Sequence, residues 1–159
     1  MVSIVRYQLR YFPSLKYFER ECTMNNISLK ELAIDEIHLL EVILWSECDN
    51  DENGNSEPLD KNYSIHDIDK ESMEMILGKY REFRNQYFKE CLESIEDKEL
   101  YSNMECQFAQ DYWLSCNGHG AGFFDSIWSK EQCQKMQALS RQEGSYWAHS
   151  DNGIVYITN

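Results

Sequence analysis

The residues best suited to chemistry lie in one run near the C-terminal end of the chain. From Asp111 to Asp125 the sequence reads DYWLSCNGHGAGFFD, with three alternating glycines and one histidine. A histidine paired with a carboxylate can act as an acid or base, so His119 with Asp111 or Asp125 is a candidate acid/base pair. Cys116 with His119 is a candidate nucleophile pair. We single out the following residues of this run: Asp111, Trp113, Asn117, Gly118, His119, Gly120, Gly122 and Asp125.

The same run also has a structural interpretation. Asn117-Gly118 is a favoured hairpin turn because both residue types tolerate positive φ, and this predicts two strands over 108–116 and 120–125. The glycines would then serve backbone geometry and close packing. Neither nucleotide-binding fingerprint fits, because Phe123 stands where G-x-G-x-x-G needs its third glycine and no Gly-Lys-Ser/Thr follows.

An acidic loop earlier in the chain matches the start of a calcium-binding EF-hand loop in part. From Asp49 it offers oxygen ligands at positions 1, 3 and 5, a glycine at position 6 and an acid at position 12. That last acid, Asp60, is shorter than the usual glutamate, and Pro58 opposes a smooth run into an exit helix. The six cysteines contain no C-x-x-C pair, so no zinc site is indicated. We therefore expect no bound metal or cofactor.

Composition limits the class of protein. The 159 residues include 15 basic and 28 acidic side chains, giving a net charge of −13, which argues against a general nucleic-acid binder. No apolar run is long enough for a membrane span, and no secretory signal is evident, so we expect a cytoplasmic protein with free thiols. Residues 1–23 form a basic, aromatic arm or edge strand of charge +2, and residues 24–159 form a single domain of charge −15. Met24 could be an alternative start.

Hydrophobic periodicity predicts the elements that must position these residues. An S-x-x-E capping box at Ser28 opens a predicted helix over 28–47, and a second long helix is expected over 69–96. Ser129 and Gln132 indicate a shorter helix over 129–142, and a hairpin is predicted around Asn152-Gly153. The fold class is therefore α+β, with two long N-terminal helices packed on a small antiparallel sheet built from C-terminal hairpins. The expected core includes Phe108, Tyr112, Leu114, Phe124, Val155 and Ile157.

Several stretches resemble a family of small bacteriophage proteins. They are Leu44-Trp45-Ser46, the run from Glu57 to Ile68 and the run from Asp111 to Asp125, which is similar to the family's DFWLTRNGHGAGFWDR. The resemblance covers about residues 40–157. The family's Thr-Arg is Ser115-Cys116 here, and Ser126 replaces its final Arg. The family has no established activity, so the resemblance implies a phage or prophage origin rather than a mechanism.

These observations favour a non-catalytic phage accessory protein that inhibits a host nucleic-acid-processing or defence complex, of the anti-CRISPR or anti-restriction type. A dense carboxylate surface can compete for a basic groove by mimicking nucleic acid. One alternative is a small enzyme that uses the glycine-rich hairpin with His119 as acid/base. Another is a binding module that uses exposed aromatics such as Trp113, Trp128 and Trp147. The expected partner-binding residues are Asp49, Asp51, Glu52, Glu57, Asp60, Glu93, Glu96 and Glu99.

Overall fold

The computed structural model describes residues 31–50, 54, 56–95 and 103–159. This part of the chain contains four α-helices and two antiparallel strand pairs, so the predicted α+β class is confirmed. The helices are α1 (Ile34–Ser46), α2 (Lys70–Glu93), α3 (Met104–Asn117) and α4 (Lys130–Gln142). The strands are β1 (Cys48–Asn50), β2 (Ser56–Pro58), β3 (Trp147–Asp151) and β4 (Ile154–Thr158). The basic arm at 1–23 lies outside the described residues. No helix in the described part is long and apolar enough to span a membrane.

The first two helices lie where the sequence places them, with shifted ends. Within the described residues α1 begins at Ile34, where the Glu36 carboxylate accepts a hydrogen bond from the Ala33 backbone N–H at 3.0 Å. The predicted capping residue Ser28 is outside the described part. Helix α2 begins after Asp69, whose side chain accepts from the Ser72 N–H at 2.9 Å, which satisfies one free donor of the first turn.

The hairpin predicted over 108–125 is wrong. Residues 104–117 are helical, and α3 is buried almost all round because α1 packs against one side of it while α2 and α4 also contact it. Six consecutive residues, 111–116, are buried. Because these buried residues are consecutive and include the polar Asp111 and Ser115, the sequence shows no clear helical or strand period there. The helices are thus not confined to the N-terminal half.

The C-terminal elements follow the prediction closely. Helix α4 is capped by the Ser129 hydroxyl, which accepts from the Gln132 N–H at 3.3 Å. The β3–β4 hairpin turns at Asn152 and Gly153, with φ of 50° and 84°. Ala148, Val155 and Ile157 face the core, whereas Phe124, predicted to be buried, is 52% exposed in the turn after α3. A small sheet therefore packs on the helices, with a further strand pair, β1–β2, inside the segment predicted as a polar loop.

Candidate functional site

The run from Asp111 to Asp125 forms the end of α3 and the loop that follows it. Gly118 closes the helix in the left-handed conformation at φ 68°, and residues 123–125 make one short 3-10 turn. Its polar groups contact the segment 126–128, the end of α1, α4 and the start of β3. The run is therefore a junction between elements, not a strand pair.

Asp111 is a buried acceptor on α3. Its carboxylate receives hydrogen bonds from Gln107 Nε2 at 2.9 Å, from Trp128 Nε1 at 2.7 Å and from the Ser126 hydroxyl. The side chain is 2% exposed, and burial raises its pKa to about 7 against the three donors that favour the ionised form. Asp111 therefore holds the segment 126–128 against α3 by hydrogen bonds. His119 is not among its hydrogen-bond partners.

Gly122 lets the loop approach the α3 backbone. Its φ is 128°, and a Cβ atom placed there would lie 3.0 Å from the Ser115 backbone nitrogen and 3.1 Å from the Asp111 carbonyl oxygen. The Gly122 N–H donates to Asp125 Oδ1 at 3.0 Å, and the Phe123 N–H donates to the Ser115 hydroxyl at 2.9 Å. Ser115 therefore forms a buried contact that sequence reasoning missed.

Two further motif residues connect α3 to distant segments. Asn117 Oδ1 accepts from the Tyr146 N–H at 2.6 Å, which positions the start of β3. The Trp113 indole is fully buried and donates to the Ser46 hydroxyl at the end of α1, at 2.9 Å. Trp128 is also buried, so neither of these tryptophans is available to a partner.

His119 pairs with a carboxylate that the sequence did not indicate. Its Nε2 lies 2.8 Å from Glu47 Oε1, in the residue that follows α1, and the two side chains are 27% and 14% exposed. The predicted partners have other contacts, since Asp125 accepts from the Gly122 N–H and Asp111 from three donors. No spacing signal links positions 47 and 119, because only the packing of α1 against α3 brings them together.

Cys116 is unsuited to nucleophilic chemistry. Its thiol is buried and donates to the Ser140 carbonyl oxygen at 3.2 Å, and burial raises its pKa to about 12. A reactive cysteine needs the opposite, a lowered pKa in an electropositive setting. The predicted nucleophile pair is therefore not supported. The five described cysteines are all free.

The structure brings two of the predicted partner-binding acids together. Asp49 and Glu57 are directly opposite in the antiparallel β1–β2 register, so their side chains project from the same face. Asp49 accepts from the Ser150 backbone N–H at 3.1 Å and from its hydroxyl, and Glu57 pairs with Lys61 at 3.0 Å. Asp60 follows in the 3-10 turn Leu59–Lys61, and its side chain is exposed. Asp51, Glu52, Glu96 and Glu99 lie outside the described residues.

Charge is distributed unevenly between two neighbouring segments. Residues 31–69 contain twelve acids and one lysine, whereas α2 contains five acids and five basic residues. Several of the α2 charges form pairs: Lys70 with Glu74 at 3.7 Å, Lys89 with Glu93 at 4.0 Å and Arg81 with Glu36 at 2.6 Å. Glu93, predicted to contact a partner, therefore lies on a helix with no net charge. Among the described residues no group of three or more His, Cys, Asp or Glu side chains could hold a metal ion.

Comparisons with protein-family models, with curated proteins and with solved structures find no match to this chain.

Proposed function

We propose that this chain is a phage or prophage accessory protein that inhibits a host nucleic-acid-processing or defence complex without catalysis, by offering carboxylates to a basic groove. The observation that carries the proposal is the pairing of Asp49 opposite Glu57 within a segment of twelve acids and one lysine. The anti-CRISPR or anti-restriction type of target rests on the resemblance to the phage family.

Opposed carboxylates are a costly arrangement for a short hairpin. Like charges directly opposite in an antiparallel pair destabilise the ladder, and β1 and β2 have only three residues each. Within the chain Lys61 pairs with Glu57 and Ser150 donates to Asp49, which offsets part of this repulsion. A positively charged groove can offset more of it, and the same charges draw the two molecules together before contact. Each exposed ion pair contributes up to about 1 kcal/mol, so several acids must act together.

The charge distribution narrows the predicted interface. Helix α2 contains as many basic as acidic residues, and Glu74 and Glu93 pair with lysines of the same helix, so a basic groove would meet both signs there. We therefore propose the β1–β2 hairpin and the turn after it as the main contact, with Asp51, Glu52, Glu57 and Asp60 contributing. Glu93, Glu96 and Glu99 form a secondary contact in this proposal.

Charge reversal on the hairpin tests the proposal. Bacteria carrying an active CRISPR or restriction system would express the protein, and phage plating efficiency would be measured. We expect the wild type to raise plating against at least one system, and Glu57→Lys with Asp60→Lys to reduce that gain by roughly tenfold. The matched control is Glu82→Lys with Glu131→Lys, two exposed positions with the same charge change.

The control and the panel of defence systems decide the result. Retained inhibition in the control, with a circular dichroism spectrum unchanged in both variants, supports the hairpin as the contact. Equal loss in both variants would mean that overall charge, not this surface, matters. If the wild type protects phage from no system in the panel, the proposed function is wrong.

A small enzyme using His119 is the second candidate, and the Glu47–His119 contact favours it. A carboxylate at 2.8 Å can orient an imidazole through a hydrogen bond. The glycine-rich hairpin on which this idea first rested is absent, because residues 104–117 are helical. His119→Ala discriminates the two functions: abolished biological activity in a folded variant indicates the enzyme, and retained activity indicates the inhibitor.

A further inference from the structure

The outer face of the β3–β4 hairpin carries a stack of three rings. His149 lies between Trp147 and Tyr156, with ring centroids 5.1 Å and 5.8 Å apart and interplanar angles of 28° in both pairs. The register pairs His149 with Tyr156 and Asp151 with Ile154, so these side chains share one face. We call Trp147, His149, Asp151, Ile154 and Tyr156 the aromatic face.

This face is open to solvent although its residues are large. Trp147 is 57% exposed and Ile154 is 40% exposed, whereas Trp113 and Trp128 are buried. Among the described rings Trp147 stacks only on His149, so it lies at one end of the stack. Ala148, Val155 and Ile157 on the opposite side of the hairpin are buried in the core. The hairpin thus packs one face on the core, and its other face holds half-buried His149 and Tyr156 beside the exposed side chains of Trp147 and Ile154.

The charges around the aromatic face select what can bind there. Residues 142–159 contain no lysine or arginine and two acids, Glu143 and Asp151, and Asp151 is exposed on the face itself. Aromatic ring faces attract cations, and arginine in particular stacks its planar guanidinium on them. A nucleic acid would need basic side chains for its phosphates, and this segment has none.

We propose that the aromatic face binds an arginine side chain of the partner protein, by stacking on Trp147, with Asp151 adding negative charge at the far end of the same face. This inference rests on the proposed function, because a nucleic-acid-binding groove is the kind of surface that presents arginines. The two surfaces have different tasks. The acids of the β1–β2 hairpin attract any cation, whereas the aromatic face distinguishes arginine from lysine.

Two peptides of equal length and charge test this directly. One alternates glycine with arginine and the other alternates glycine with lysine, and fluorescence anisotropy at low ionic strength measures their affinities for the full chain. We expect the wild type to bind the arginine peptide about two- to fivefold more tightly, which corresponds to one exposed cation–π contact. Trp147→Ala and Trp147→Leu should both remove this preference and leave the weaker charge-driven binding.

Trp45→Ala is the matched control, because Trp45 is also an exposed tryptophan, at 38%, but lies on α1. It should retain the preference for arginine, and Glu57→Lys with Asp60→Lys should weaken both peptides alike. Equal affinity of the wild type for the two peptides, or loss of the preference in Trp45→Ala, overturns the proposal. Tighter binding of a single-stranded oligonucleotide or an oligosaccharide that Trp147→Ala abolishes would also overturn it.

The outcomes separate this inference from the proposed function. If the protein prefers the arginine peptide but protects phage from no defence system, the inhibitor proposal is wrong. The proposal that the aromatic face binds arginine is then still supported. If the Trp147→Ala variant still protects phage and the wild type shows no preference for arginine, the proposal that the aromatic face binds arginine is wrong. The inhibitor proposal then stands.

Discussion

The chain contains the dipeptide Asn-Gly twice in its C-terminal third, and the two copies fold differently. At Asn117-Gly118 the asparagine ends α3 and only the glycine is left-handed, at φ 68°. At Asn152-Gly153 both residues have positive φ, 50° and 84°, and they make a two-residue hairpin turn. Both sites use the same tolerance for left-handed backbone. The dipeptide thus indicates where the chain changes direction, and the flanking residues decide what it connects.

The flanks of the two sites explain the difference. Around Asn152 buried and exposed residues alternate, since Ala148, Val155 and Ile157 are buried and Trp147 and Ile154 are exposed. Before Asn117 the buried residues are consecutive, because other helices surround α3. The first site also has more polar contacts, through Asp111, Ser115 and Asn117, than the second, where Ser150 bonds to Asp49 and Tyr63. Substitutions at and around the two sites should therefore have unequal effects.

The largest difference should come from the buried carboxylate of the first site. The pKa of Asp111 is raised from 3.8 to about 7 in the folded chain, so the folded state binds the proton more tightly than the unfolded state. Below about pH 3.8 the protonated Asp111 therefore adds up to about 4 kcal/mol to the free energy of unfolding. This contribution is lost as the pH rises to about 7. Urea unfolding at a series of pH values measures this loss.

Asp111→Asn isolates this contribution from that of other carboxyl groups. The Asn oxygen can still accept from Trp128, and the Gln107 amide can turn to present its oxygen. The free energy of unfolding of the wild type, relative to that of this variant, should decrease as the pH rises from 4 to 7. If the two proteins show parallel profiles, the Asp111 pKa is not raised and the burial argument is wrong.

Gly122→Ala should be the most damaging single change at a glycine of the first site. The new methyl group would meet the Ser115 nitrogen and the Asp111 carbonyl oxygen at a φ of 128° that alanine resists, so we expect a loss of about 3 kcal/mol. Gly118→Ala and Gly120→Ala are the controls, because a Cβ atom at either position meets no atom within 4 Å. Each should cost about 1 kcal/mol by thermal or urea unfolding. Equal losses at all three glycines would refute the close approach.

A smaller contrast separates the two asparagines. Asn117→Ala leaves the Tyr146 N–H without its acceptor and should cost about 2 kcal/mol, whereas Asn152→Ala loses only its tolerance for left-handed backbone, about 1 kcal/mol or less. Urea unfolding of both variants gives the difference. A greater loss at Asn152 would show that the hairpin turn, not the junction at Asn117, limits stability.

Local sequence signals were sufficient where periodicity was clear. Helices α2 and α4, most of α1 and the β3–β4 hairpin follow from spacing, caps and turn residues such as Ser129 and Gly153. Helix α3 did not, because the buried polar residues Asp111 and Ser115 stand among its buried apolar residues and obscure the period. The Glu47–His119 contact could not be predicted either, since it depends on how α1 packs against α3. The contacts of Asp111, Ser115 and Asn117 could not be predicted for the same reason, because each joins α3 to a segment that only the fold brings close.

The opposed carboxylates of β1–β2 have a consequence for local dynamics. The β1–β2 hairpin has three paired positions against five in β3–β4, and it places Asp49 opposite Glu57, although Lys61 and Ser150 contact these carboxylates. We therefore expect it to open at a lower free energy than β3–β4, and its amide protons to exchange with deuterium sooner. A cationic partner that neutralises the pair adds its binding free energy to the closed state and slows that exchange. Deuterium exchange of the acidic hairpin would therefore detect a bound partner, because its amide protons gain protection only when a positively charged surface covers them.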